Sequence, residues 1–207
     1  MDHLEFHPRP LQALGSPLEN IFAAKSKSLA KTLDHVLYSK LKPEVMDRYS
    51  AYLDQSIGSF LFDLKSDNDL FYKRFLNGYG DLKYIKFREI LENYSSHKGI
   101  YRYLVNGEIK YIGRSHKSFK KRIGMGYGSI SPASCYLTGR NTDCLLNALI
   151  THNWQDVRLE VCPLEFSESE IEDLEQRLIK QYDPSWNGQG TTHGRRDILK
   201  TFSKTLS

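Results

Sequence analysis

The spacing of apolar residues along the chain changes near residue 95. Between residues 28 and 41, Leu29, Leu33, Val36, Leu37 and Leu41 recur at helical spacing. Pro43 suits the first turn of a second helix, which the pattern carries to about Leu64 through Val45, Tyr49, Leu53, Ile57, Phe60 and Leu61. Two shorter helices are expected over 69–76 and 84–93. Residues 1–17 hold three prolines and little periodicity, and read as an extended arm. The first 95 residues therefore predict an all-helical N-terminal region. The polar stretch 95–99 marks a boundary with a second domain, 96–207.

From Gly99 onward, strands alternate with helices. Residues 100–105 and 109–112 flank Asn106-Gly107, a hairpin signal. A short basic helix follows at 118–123, then a Gly/Ser-rich loop over 124–141, of a length that is usually functional. A helix over 142–152 and a third strand over 157–162 come next. Ser167 opens the last long helix through a capping box with Glu170, and that helix stops before Pro184. The final residues, about 196–207, suit a small helix. The fold class is α+β. No run of eighteen apolar residues exists to span a membrane, and the chain start lacks a basic-then-apolar export pattern.

Charge sharpens this picture. Residues 1–95 carry thirteen basic and thirteen acidic residues, so the whole net charge of +4 lies beyond them. Arg102, Lys110, Arg114, Lys117, Lys120, Lys121 and Arg122 fall within twenty-one residues, with Glu108 as the only acid among them. Such a patch suits a polyphosphate partner. The three cysteines, at 135, 144 and 162, form no Cys-x-x-Cys pair and are odd in number. They read as thiols in a reducing cytoplasm rather than as zinc ligands or disulfides.

Glu175 stands out on physical grounds. Its helix has the apolar face Ile171, Leu174, Leu178, Ile179 and Tyr182, and Glu175 lies four residues from both Ile171 and Ile179. A carboxylate turned to the core is costly unless it is paired or holds a metal. In the hairpin, a two-residue turn at Asn106-Gly107 would put Tyr101 and Tyr111 on opposite faces. A three-residue loop over 105–107, with Gly107 as the bulge residue, would put them on one face together with Tyr103 and Ile109.

The tripeptides Gly99-Ile100-Tyr101 and Tyr111-Ile112-Gly113, the basic helix with Arg122, and the stretch from Glu175 to Tyr182-Asp183-Pro184-Ser185-Trp186-Asn187 together resemble the GIY-YIG nuclease family. The resemblance covers roughly residues 97–190. The Glu175-to-Asn187 segment is most similar to GIY-YIG type II restriction endonucleases. It implies a three-stranded antiparallel sheet flanked by helices. It also implies Tyr101 as general base or water-orienting group, with Tyr111 in the same pocket. Arg122 would lie on the scissile phosphate, Glu175 on a divalent cation, and Asn187 on backbone groups or substrate. Use of both phenols requires the three-residue loop. Mg²⁺ or Mn²⁺ is the implied cofactor, and Lys110, Arg114 and Lys121 are candidates to lower a phenol's pKa. Where many members carry a histidine after the arginine, this chain has Tyr127.

The expected activity is thus divalent-metal-dependent, site-specific cleavage of double-stranded DNA by a cytoplasmic restriction-type enzyme. Arg114, Lys117, Lys120, Lys121, Tyr127 and Arg140 are the candidate DNA contacts, and residues 1–95 would serve DNA recognition or dimerisation. One active site cuts one strand, so double-strand cleavage calls for a homodimer or sequential nicks. A mobile-element, homing or phage-interference nuclease is the alternative within the class. A catalytically silent DNA-binding protein is the alternative outside it.

Overall fold

The structure, a computed structural model, describes residues 4–90, 93–188 and 190–192. It is a mixed α+β chain with antiparallel sheets, and its contacts cluster into two compact units whose segments alternate along the sequence. The first unit takes residues 1–15, 86–129 and 152–207; the second takes 16–85 and 130–151. The expected boundary near residue 95 falls inside the first unit, and the terminal helix expected at 196–207 lies outside the described residues.

The first unit is built on a four-stranded antiparallel sheet. Its strands are β1 (His7–Arg9), β4 (Gly99–Val105), β5 (Glu108–Ser115) and β6 (Val157–Pro163), in the order β1-β6-β4-β5. The sequence predicts β4, β5 and β6 but not β1. The N-terminal arm pairs with β6, His7 opposite Val161. The arm then continues as β2 (Leu11–Ala13), which pairs with β3 (Phe87–Glu89) in a separate ribbon. The helix expected over 84–93 is therefore a strand in its middle. Both strands are three residues long, too short for a period to show.

The hairpin also differs from the expected register. Asn106 and Gly107 form a two-residue turn with φ of 51° and 82°, and Val105 pairs with Glu108. Positive φ at both positions matches the twist of the flanking strands. A bulge then restores the common face. Tyr103 pairs with Tyr111 but Leu104 pairs with Ile109, so Lys110 is the extra residue. Tyr101, Tyr103 and Tyr111 share one face, and Ile109 joins Ile100 and Ile112 on the other.

That second face is covered by α6 (Glu168–Tyr182). Ile171, Leu174, Leu178 and Ile179 pack on Ile100 and Ile112, each contributing about 1.5–3 kcal/mol of apolar burial. Ser167 and Glu170 form the predicted reciprocal cap. Asp183, at φ 44°, ends the helix. Tyr182, placed on the apolar face by its spacing, is exposed.

The second unit is helical, but its helices are short. The stretch expected as one helix over 28–41 divides into α1 (Leu29–Leu33) and a 3-10 segment at Val36–Leu41, because His35 is extended and its ring accepts from the Leu37 N–H. The expected second helix breaks at Tyr49 into α2 (Lys42–Arg48) and α3 (Ile57–Ser66), with a 3-10 turn at Ser50–Tyr52 between them. Leu70–Phe75 is a 3-10 helix. Stacked and edge-on rings hold this core: Tyr49 lies 5.2 Å from Phe71, and Phe71 lies 5.5 Å from Phe75. Helix α5 (Asn141–His152) falls almost wholly in this unit and buries Cys144, Leu145, Leu146, Leu149 and Ile150. Part of the expected loop 124–141 is ordered as well, with Ile130, Cys135 and Tyr136 buried. Among the described residues, no helix is long and apolar enough to cross a membrane.

A fragment of residues 96–207 lacks β1, β2 and β3 and carries residues 130–151 without the 16–85 segment of their unit. We expect it to be insoluble, with the β6 edge unpaired. A soluble, monomeric fragment with the circular dichroism of a folded domain would show that these segments are dispensable.

Candidate active site

The β4–β5 pairing sets the site. Tyr101 lies directly opposite Gly113, and its ring covers that glycine. A Cβ at 113 would stand 2.6 Å from both Cζ and Oη of Tyr101 and 2.8 Å from the Tyr111 ring. Only a residue without a side chain leaves room for the phenol. Tyr101 is fully buried, with Tyr103, Tyr111 and Tyr127 at ring distances of 6.2, 6.1 and 6.4 Å. The Tyr103 and Tyr127 hydroxyls are 3.2 Å apart. The Tyr101 hydroxyl makes no hydrogen bond of good geometry among the described residues.

Arg122 ends the short helix α4 (Phe119–Arg122), which Ser118 caps through the Lys121 N–H. Its guanidinium lies 5.7 Å from the centre of the Tyr127 ring. Burial raises the pKa of Tyr101, Tyr103, Tyr111 and Tyr127, and in all four Arg122 acts against that rise. Burial also raises the pKa of Glu175, opposed first by Arg114 and then by Arg122. The Glu175 charge is felt in turn at Tyr111. Tyr101, Tyr111, Arg122 and Glu175 thus share one electrostatic neighbourhood. Arg122, rather than the expected Lys110, Arg114 or Lys121, is the cation that acts on all four phenols.

Asn187 holds the sheet edge. Its side chain donates to the Ile112 carbonyl at 2.8 Å and accepts from the Ile112 N–H at 2.9 Å. The Trp186 N–H donates to the carbonyl of the bulged Lys110. The turn after α6 thereby satisfies β5, an edge strand, on either side of Tyr111 and next to Gly113. The Asn187 side chain thus contacts backbone.

The candidate DNA contacts separate. Lys117, Lys120 and Lys121 are exposed. Tyr127 is fully buried among the phenols, so it belongs to the cluster and not to a contact surface. Arg114 is turned inward: it pairs with Glu175, donates from Nη2 to Glu172 at 2.8 Å and from Nε to Nε2 of His116 at 2.9 Å. Lys110 pairs with Glu108. Arg140 belongs to the second unit, at the start of α5. Sequence reasoning missed Glu89. Its carboxylate is partly buried, its pKa is raised by burial, and it lies against Gly124, whose Cβ would stand 2.5 Å from Oε2. Its stretch reads as helical, so no signal pointed to it. Glu172 and His116 were also missed, and only contacts across α6 and β5 reveal them.

No protein-family model and no curated protein matches the chain. Among solved structures, the restriction endonuclease HPY188I in complex with product DNA matches with 18% identity, over 58% of this chain and 84% of that one, at a TM-score of 0.29. A likeness at that level says nothing about chemistry.

The donor set bears on a metal. Among the described residues, no three His, Cys, Asp or Glu side chains cluster as a ligand set. Glu175 offers one carboxylate on the α6 side of the sheet, within electrostatic reach of Tyr111. A single carboxylate suits Mg²⁺, which keeps several waters and takes the rest of its shell from phosphate oxygens. The residues therefore fit a water-rich cation and not a caged one.

Gly113→Ala should displace the Tyr101 ring and cost about 1–3 kcal/mol. Gly107→Ala, with nothing within 4 Å of its Cβ, should cost only the strain of positive φ. Denaturant melts with near-ultraviolet circular dichroism check this. Equal costs, with the tyrosine signal unchanged in both, would count against the packing described.

Proposed function

We propose that this chain is a divalent-metal-dependent DNA endonuclease of the GIY-YIG kind, with a restriction-type role. What supports the reading is that Tyr101, Tyr111 and Arg122 lie on one side of the sheet while Glu175, on α6, stays within electrostatic reach of Tyr111 and Arg122. They are four groups of three chemical kinds from four elements, β4, β5, α4 and α6, and one guanidinium influences the other three. The motif spacing that resembles the family picks out the same four. The exposed Lys117, just before α4, and Lys120 and Lys121, beside Arg122 on α4, supply a surface for the DNA backbone.

Each residue has a task in phosphodiester hydrolysis. Arg122 binds the scissile phosphate and gains strength as charge builds on its oxygens, because the surrounding phenols exclude water. Tyr101 orients the attacking water and accepts its proton through Oη. Tyr111 lines the same pocket. Asn187 keeps β5 rigid beneath them. A cation held by Glu175 would supply stabilisation of the leaving oxyanion. The similarity of the Glu175-to-Asn187 segment to restriction enzymes supports the restriction role. Plasmid and phage DNA, incubated with and without Mg²⁺ and followed by mapping of the ends, tests activity and site choice together.

Arg122→Ala should lower turnover by about 10²–10³-fold while leaving DNA affinity nearly unchanged. Tyr101→Phe should cost far more activity than Tyr103→Phe, since the Tyr103 hydroxyl is engaged by Tyr127. Single-turnover kinetics with a separate binding assay distinguishes these effects. Equal losses in the two tyrosine variants would remove Tyr101 from its role.

The phenol shift also fixes a pH dependence. Burial holds Tyr101 above its ordinary value of roughly 10, so its phenolate is scarce at neutral pH. Raising the pH increases the fraction able to accept a proton, so the single-turnover rate should climb steadily from about pH 7 to about pH 9. A rate that is flat or falls over that interval would exclude Tyr101 as the proton acceptor.

A further inference from the structure

The guanidinium of Arg114 sits on the carboxylate that the proposed reaction needs. Glu175 is nearly buried, its side chain 10% exposed, and Arg114 pairs with it through Nη1. The same guanidinium holds Glu172 through Nη2 at 2.8 Å, and Glu172 is half exposed on the same helix, three residues before Glu175. Nε donates to His116 at 2.9 Å, which fixes the plane of the group from below. Arg114 therefore has two carboxylate partners on α6, an inner one and an outer one, spaced at one helical turn. A lone carboxylate at the position of Glu175 would be expensive to bury, and the arginine offsets that cost.

We propose that Arg114 is an exchangeable counter-ion. It neutralises Glu175 while no divalent cation is bound, and yields that carboxylate to the cation by moving onto Glu172. The inference rests on the proposed role of Glu175 and adds a residue to it. An arginine that merely oriented Glu175 for a cation would stay in place when the cation arrived. One that exchanges competes with the cation, and Glu172 is what makes the exchange affordable. Two positive charges cannot share one buried carboxylate without a second anion close by, and Glu172 is the anion that Arg114 already touches. The guanidinium cannot lose its proton, so movement is its only way to give up the site.

The test measures Mn²⁺ binding to the full chain without DNA, by electron paramagnetic resonance titration of free Mn²⁺. The variants are Arg114→Gln, Glu172→Gln, their double variant and Glu175→Gln, each checked for folding by thermal melt. Arg114→Gln should bind Mn²⁺ roughly tenfold more tightly, the size of a released charge-assisted hydrogen bond. Glu172→Gln should bind more weakly than wild type. The double variant should match Arg114→Gln, because Glu172 acts only through the arginine. Equal weakening by Glu172→Gln in both backgrounds would show simple charge addition and overturn the exchange. Unchanged or weaker binding by a folded Arg114→Gln overturns it as well. If Arg114→Gln fails to fold, Arg114→Lys replaces it, since a lysine is a point charge without the planar fork that reaches two carboxylates at once; weakening by Glu172→Gln that Arg114→Lys reduces supports exchange, and weakening that persists in full rejects it. Glu175→Gln separates the two readings. Mn²⁺ binding that is insensitive to it overturns the nuclease reading together with the exchange, and binding absent from every variant overturns the exchange alone, because the nuclease cation takes part of its shell from DNA phosphate. Loss of binding in Glu175→Gln without tightening in Arg114→Gln overturns the exchange alone.

Discussion

The packing of the Tyr101 ring onto Gly113 is the contact on which the site depends. A cross-strand pair in an antiparallel sheet ordinarily places two side chains against each other. Here one member has none, and the ring of the other lies down across the strand. That geometry brings the Tyr101 hydroxyl over β5 and next to the Tyr111 ring. It holds only while β4 and β5 keep their register. The bulge at Lys110 and the clamp of Asn187 on Ile112 pin that register from the side where β5 has no neighbouring strand.

Around this contact the chain buries four phenols and a carboxylate, an arrangement that favours neutral forms. The two arginines counter it from different directions. Arg122 lowers the cost of negative charge on the phenol side, and Arg114 does so on the α6 side. Their roles differ because their partners differ. Arg122 lies against the Tyr127 ring, whereas Arg114 is held by two carboxylates and an imidazole.

The support for this site comes from segments far apart in the chain. Residues 7–9 supply an edge strand to the sheet, and 11–13 with 87–89 form the ribbon that brings Phe87 to the phenol cluster. Helix α4 is only four residues long and would not persist alone. It is held by bonds from the Phe119 and Lys120 N–H groups to the carbonyls of His97 and Ser95. These backbone bonds, more than helix propensity, aim Arg122.

Local chemistry was legible from the sequence. The capping box at Ser167 and Glu170, the inward face of Glu175 and the β4–β5 hairpin each follow from interactions within a few residues, so spacing alone displays them. The shared face of Tyr101 and Tyr111 was also anticipated, but through a three-residue turn that the chain does not use. The turn obeys Asn106-Gly107, and the bulge at Lys110 depends on the Trp186 N–H, seventy-six residues away. Strands β1 to β3 are too short to carry a period, and they exist only because partner strands satisfy their backbone groups. The engagement of Arg114 by Glu172 and Glu175 likewise required α6 to pack on the sheet, which no local pattern encodes. The sequence by itself determined which residues can bear charge, cap a helix or turn a hairpin. The tertiary structure decided which of those charges meet, because the energy of a buried ion pair depends on distance and exclusion of water, and both arise only when remote segments pack.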